Sequence, residues 1–173
     1  TFAEKFLSFI EKCQTQDGKF HNMLGQNRDF LDDVGSEDSF GRAVSALGET
    51  LKSSLPEEYR LRAKKTLEKA FPSELEIISP RAQADTLMAA MDSDKFISKG
   101  TASGIRMRMT DSLISKYNEV SNDGWNWFEK YLTYGNAKIP EALFEAQSHD
   151  KSGIVQRIAK DSMDFLTKNL FNK

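Results

Sequence analysis

Cysteine, histidine and proline are scarce: the 173 residues hold one, two and four of them. Cys13 alone forms no internal disulfide and no thiolate metal site. Its place in an apolar-periodic stretch reads as a buried free thiol. His21 and His149 lie far apart without ligand spacing, so no zinc is expected; acidic clusters can hold Ca²⁺ or Mg²⁺, but DDVGSED lacks the calcium-loop pattern, and no metal site is assigned. No Walker loop, dinucleotide turn or nucleophile elbow occurs, so no cofactor is expected. Positive charge is not in excess, with 24 Lys and Arg against 26 Asp and Glu. That balance excludes a general nucleic-acid footprint. No run approaches ~18 apolar residues, so no membrane insertion is expected. Nothing at the N-terminus resembles a secretory signal, which makes the cytoplasm the expected location.

What is present is helical periodicity. Phe2, Phe6, Leu7, Ile10 and Cys13 make the stripe of a first helix. A long irregular loop (about 20 residues) follows, a length that suggests function. A second helix, capped by Ser36 or Asp38, carries Val44, Leu47 and Leu51. Pro56 opens a third, which stops at Pro72. Ser79 caps a fourth with Pro80 at its first position. A fifth runs from about Asp94 to Val120 with Gly100 and Gly104 inside it. IPEALFEAQS forms a sixth, and Ser152–Asn169 a seventh. No segment shows period two, so the class is all-α.

Charged amphipathic helices (first, third, fifth, seventh) alternate with short, Ala-rich ones (second, fourth, sixth). This pattern fits an outer layer facing water around an inner layer buried on both sides. A weak repeat aligns Arg42 to Glu49 with Lys138 to Glu145. Together these suggest stacked α-hairpins closing into a toroid. With an odd helix count, the seventh is expected to lack its inner partner, as in a fragment of a longer ring.

Two constellations carry chemistry. FLDDVGSEDSFGR places Asp32, Asp33, Glu37 and Asp38 where a loop enters a helix. Capping explains some of these carboxylates; an acid/base cleft is the other reading. Arg42 sits one turn beyond Asp38, spaced for an ion pair or a ligand clamp. DGWNWFEKYLTYGNAK gathers Trp125, Trp127, Phe128, Tyr131 and Tyr134 among Asn126, Glu129 and Asn136. Aromatic faces beside carboxylates and amides suit sugar rings, whose C–H faces stack while their hydroxyls hydrogen-bond. Filling the core is the alternative for several of these rings.

QDGKFHN, FLDDVGSEDSFGRAVSALG, ISPRAQADTLMAAM and GWNWFEKYLTYGNAKIPEALFEA, in this order, resemble the signatures of a bacterial helical-toroid family. Its members are encoded with, or fused to, glycosyltransferases, and are of the six-hairpin (α/α) glycosidase-like type. The resemblance implies a partial (α/α)6 toroid acting on or binding an oligosaccharide or polysaccharide. Asp33, Glu37, Asp38 and Arg42, with Trp127, Glu129, Tyr134 and Asn136, would then line its cavity, and Arg81 its rim. For hydrolysis, Glu37 or Asp38 opposite Glu129 is the expected carboxylate pair, at roughly 5 or 6.5–9.5 Å. Trp127 and Tyr134 would form the sugar platform. A non-catalytic scaffold that binds a glycosyltransferase or its glycan product is the alternative.

Overall fold

The structure, a computed structural model, describes residues 1–171. Seven α-helices and no strand occur among them: α1 (Phe2–Cys13), α2 (Glu37–Lys52), α3 (Glu57–Ala70), α4 (Pro80–Ser93), α5 (Lys99–Val120), α6 (Lys138–Ala146) and α7 (Ile154–Leu170). The protein is all-α. Side-chain caps set several starts: the Ser36 and Ser79 hydroxyls accept the N–H groups of Ser39 and Ala82, and Pro80 begins α4. α5 begins at Lys99, later than periodicity predicts. The N–H groups of Phe96 and Ile97 both donate to the Ser93 carbonyl, and this tight turn buries Ile97. Gly100 therefore falls in the first turn of α5 instead of its interior.

The helices form two layers. α4 packs between α2 and α6, while α3, α5 and α7 lie behind α2, α4 and α6 respectively. The inner three run parallel. Glu37 at the start of α2 reaches Ser79 before α4, and Lys52 at its end reaches Asp92 near the end of α4. Likewise Arg81 at the start of α4 meets Asn136 just before α6. Small residues allow this closeness. Gly41 and Gly48 lie against Ala82 and Ala89 without room for a side chain. Enclosed on three sides, α4 keeps only Asp85, Met88, Met91 and Asp92 partly exposed.

The hairpin partners differ from expectation at the ends of the chain. α7 does have its inner partner: it packs on α6 and buries Val155, Ile158, Ala159, Phe165 and Leu166. The unpaired helix is α1, which leans on α3 through the Arg62–Glu11 ion pair (2.6 Å) and leaves Phe2, Phe6 and Phe9 exposed.

The loop before α2 is ordered by two successive tight turns, closed by the bridge pairs Gln14–Phe20 and Leu24–Phe30. Gly18, at φ +88°, lies against the Lys69 carbonyl, where both the backbone angle and the contact exclude a side chain. Beyond the turns, the Asp32 carboxylate accepts the N–H groups of Asn22 (2.6 Å) and Met23 (3.2 Å). The His21 ring stacks on Phe30, with centroids 4.2 Å apart. Asp32 thus spends its charge on holding the loop shut.

Candidate functional site

Because the inner helices are parallel, the loops that precede them meet at one end of the layer. There a groove of about 350 Å³ opens on the inner face. α2 supplies Asp38, Arg42 and Glu49 to its lining, α4 supplies Arg81 and Asp85, α6 supplies Lys138, and the loop before α6 supplies Tyr134. Residues of both constellations therefore share one cleft, together with residues that neither contains.

Arg81 organises the loop wall. Its guanidinium is buried, pairs with Glu129 at 2.8 Å, and donates to the Asn136 side-chain oxygen at 3.0 Å and to the Tyr134 carbonyl. Asn136 bonds in turn to both backbone groups of Thr133, and Trp125 donates its indole N–H to the Glu129 carbonyl at 2.7 Å. The result is a loop fixed in shape before any ligand arrives. Tyr134 presents a ring that is 55% exposed, with the Arg81 and Arg42 guanidinium carbons 5.2 and 5.8 Å from its centroid.

Asp38 accepts the Ser79 hydroxyl at 3.1 Å and faces Arg42 at 3.9 Å. Asp85 lies one turn beyond Arg81, half-buried on the central helix. Among the described residues no hydrogen bond or ion pair engages its carboxyl. Burial pushes that carboxyl above the ordinary carboxylate range; Lys138 and Arg42 oppose the shift, while Asp38 and Glu141 add to it. Two turns further along, burial also raises Asp92, against the pull of Lys52, whose ammonium lies 2.8 Å away. Glu49 and Glu145 flank Asp92 as Arg42 and Lys138 flank Asp85. These are the positions that the sequence repeat aligns.

The expected site residues fall in five different settings. Asp38, Arg42, Arg81 and Tyr134 line the groove, while Glu129 and Asn136 stand behind Arg81 and position it. Glu37 is turned to the start of α4, where its carboxylate accepts the N–H groups of Ile78 (2.9 Å) and Ser79 (2.5 Å). Asp33 is exposed on the loop, outside the groove lining. Trp127, expected on the sugar platform, is corrected to the core: it is 0% exposed and packs against Phe128 and Phe165. Phe128 is buried with it, whereas Tyr131 is exposed.

Sequence reasoning missed Asp85. The available signal was the placement of the charged residues Arg81, Asp85 and Asp92 on one face, spaced four and seven along an otherwise Ala-rich helix. Among the described residues, no group of three or more His, Cys, Asp or Glu side chains is arranged to hold a metal ion. No helix of the described residues is long and apolar enough to cross a membrane. No protein-family model, curated protein or solved structure matches the chain.

Proposed function

We propose that the groove is a saccharide site and that the chain is a carbohydrate-active protein. The observation that carries this reading is Tyr134, a half-exposed ring standing in a groove lined otherwise by charged side chains and the small residues Ser45, Ala46 and Gly135. A sugar presents an apolar C–H face to such a ring and hydroxyls to the groups around it. Three acidic residues, Asp38, Glu49 and Asp85, face three basic ones, Arg42, Arg81 and Lys138. That balance suits a neutral polyhydroxylated ligand better than an ion, and it lacks the basic excess that single-stranded nucleic acid requires. Stacked hairpins with parallel inner helices also suit an α/α toroid, and ring closure belongs to the same proposal.

Glu37 is engaged with backbone N–H groups and Glu129 with Arg81, which favours binding over chemistry by that pair. A scaffold holding the glycan product of a glycosyltransferase would use the same groove. The test is calorimetric titration with hexasaccharides of glucose, mannose, xylose and N-acetylglucosamine. Tyr134→Ala should weaken the best binder about fivefold while the protein stays folded, since an aromatic contact contributes roughly 1 kcal/mol. Absence of binding to every member of that panel, or full affinity in Tyr134→Ala, would overturn the reading.

A further inference from the structure

We propose that Asp85 is the catalytic acid of the groove, delivering its proton to a glycosidic oxygen while Asp38 takes a proton from the attacking water. This inference rests on the saccharide reading and deepens it from binding to hydrolysis.

The geometry singles out Asp85. Asp38 is engaged by Ser79 and Arg42, and Glu49 by Lys52 at 2.9 Å. Among the described residues, Asp85 is the groove-lining carboxyl without such a partner, and it sits on the central helix with a wall on either side. The groups facing it are Asp38 and Arg42 from α2, and Lys138 and Glu141 from α6. Arg81, on its own helix, is already matched by Glu129. Burial outweighs the cations, so Asp85 keeps its proton to higher pH than a free carboxyl does. Asp38 differs in its contacts: it accepts a hydrogen bond from Ser79 and faces Arg42 at 3.9 Å. Two carboxyl groups in contrasting surroundings are what acid/base cleavage of a glycoside requires.

The step balances with water as the only co-reactant. The C1–O bond breaks, its electron pair going to the oxygen, which takes the Asp85 proton and leaves as a hydroxyl. Water oxygen bonds to C1 and gives a proton to the Asp38 carboxylate. Solvent exchange then returns a proton to Asp85 and removes one from Asp38.

The test uses the full chain, the saccharide that binds best in the panel above, and the 2,4-dinitrophenyl glycoside of the same sugar. Wild type should release reducing ends from the saccharide, with a rate that falls as pH rises through the elevated Asp85 range. Asp85→Asn should lose about 10²- to 10⁴-fold on the saccharide yet stay within about tenfold on the dinitrophenyl glycoside, whose leaving group needs no proton. The alkaline fall in rate should vanish with it. Equal losses on both substrates, or undiminished cleavage of the saccharide, would show that Asp85 is not the acid. Saccharide that binds but is never cleaved overturns this inference and leaves the binding site standing. Failure to bind any saccharide removes both.

Discussion

A Cβ placed on Gly41 would lie 2.9 Å from the Cα of Ala82, so α2 and α4 meet backbone to backbone. Gly41→Ala should therefore destabilise the protein by about 1–3 kcal/mol, even though alanine favours a helix by ~1 kcal/mol. Gly104 is the control. Its nearest neighbour would be 3.8 Å away, so Gly104→Ala should stabilise by about 0.5–1 kcal/mol. Urea denaturation reads both, and shifts in the same direction would refute the account of close packing.

Arg81 joins α4 to the loop that carries Tyr134, and both its charge and its hydrogen bonds are matched. Arg81→Met should cost about 3 kcal/mol, largely by stranding Glu129 in a mostly buried position. Adding Glu129→Gln should recover part of that loss. A double-mutant cycle measures the coupling, and strict additivity would mean that the pair contributes little.

Burial raises the Asp85 carboxyl, which gives stability a definite pH dependence. Below the ordinary carboxylate range the group is neutral in folded and unfolded chains alike, and no penalty exists. As pH rises, the unfolded chain ionises first. The folded state is then penalised up to and beyond the raised value. Asp85→Asn should consequently raise the melting temperature at pH 8 and leave it nearly unchanged at pH 3. A gain present equally at both pH values would exclude ionisation as its cause.

Trp127 and Tyr134 belong to one aromatic segment but have opposite surroundings. Trp127→Ala should cost about 3–5 kcal/mol, as removal of a core ring does. With Trp125 replaced by Phe, the remaining emission should be blue-shifted and resist quenching by acrylamide. Tyr134→Ala should change stability by less than about 1 kcal/mol, as expected of an exposed side chain. Ready quenching of Trp127 would place it at the surface and reinstate it as a platform candidate.

Helices were legible wherever a local signal exists: Ser36, Ser79 and Pro80 mark their starts, and the Ala-rich stretch of α4 announced its buried place. Less could be read where the deciding partner is remote. Glu37 resembles an acid/base candidate until Ile78 and Ser79, about 40 positions on, bring their N–H groups to it. Glu129 is explained only by Arg81, and Trp127 only by Phe165 on the last helix. Asp85 was hidden differently. One carboxylate in an Ala-rich helix looks ordinary until α2 and α6 build walls beside it.

The shared direction of α2, α4 and α6 has an electrical consequence. Within the inner layer the peptide dipoles of α2, α4 and α6 point the same way, which places partial positive charge at their amino ends, offset in part by the outer helices that run back behind them. Glu37 and Asp38 occupy that pole, and Lys52 occupies the opposite pole on α2. A molecule with unlike charge at its two ends, lying lengthwise between them, would change in energy on reversal.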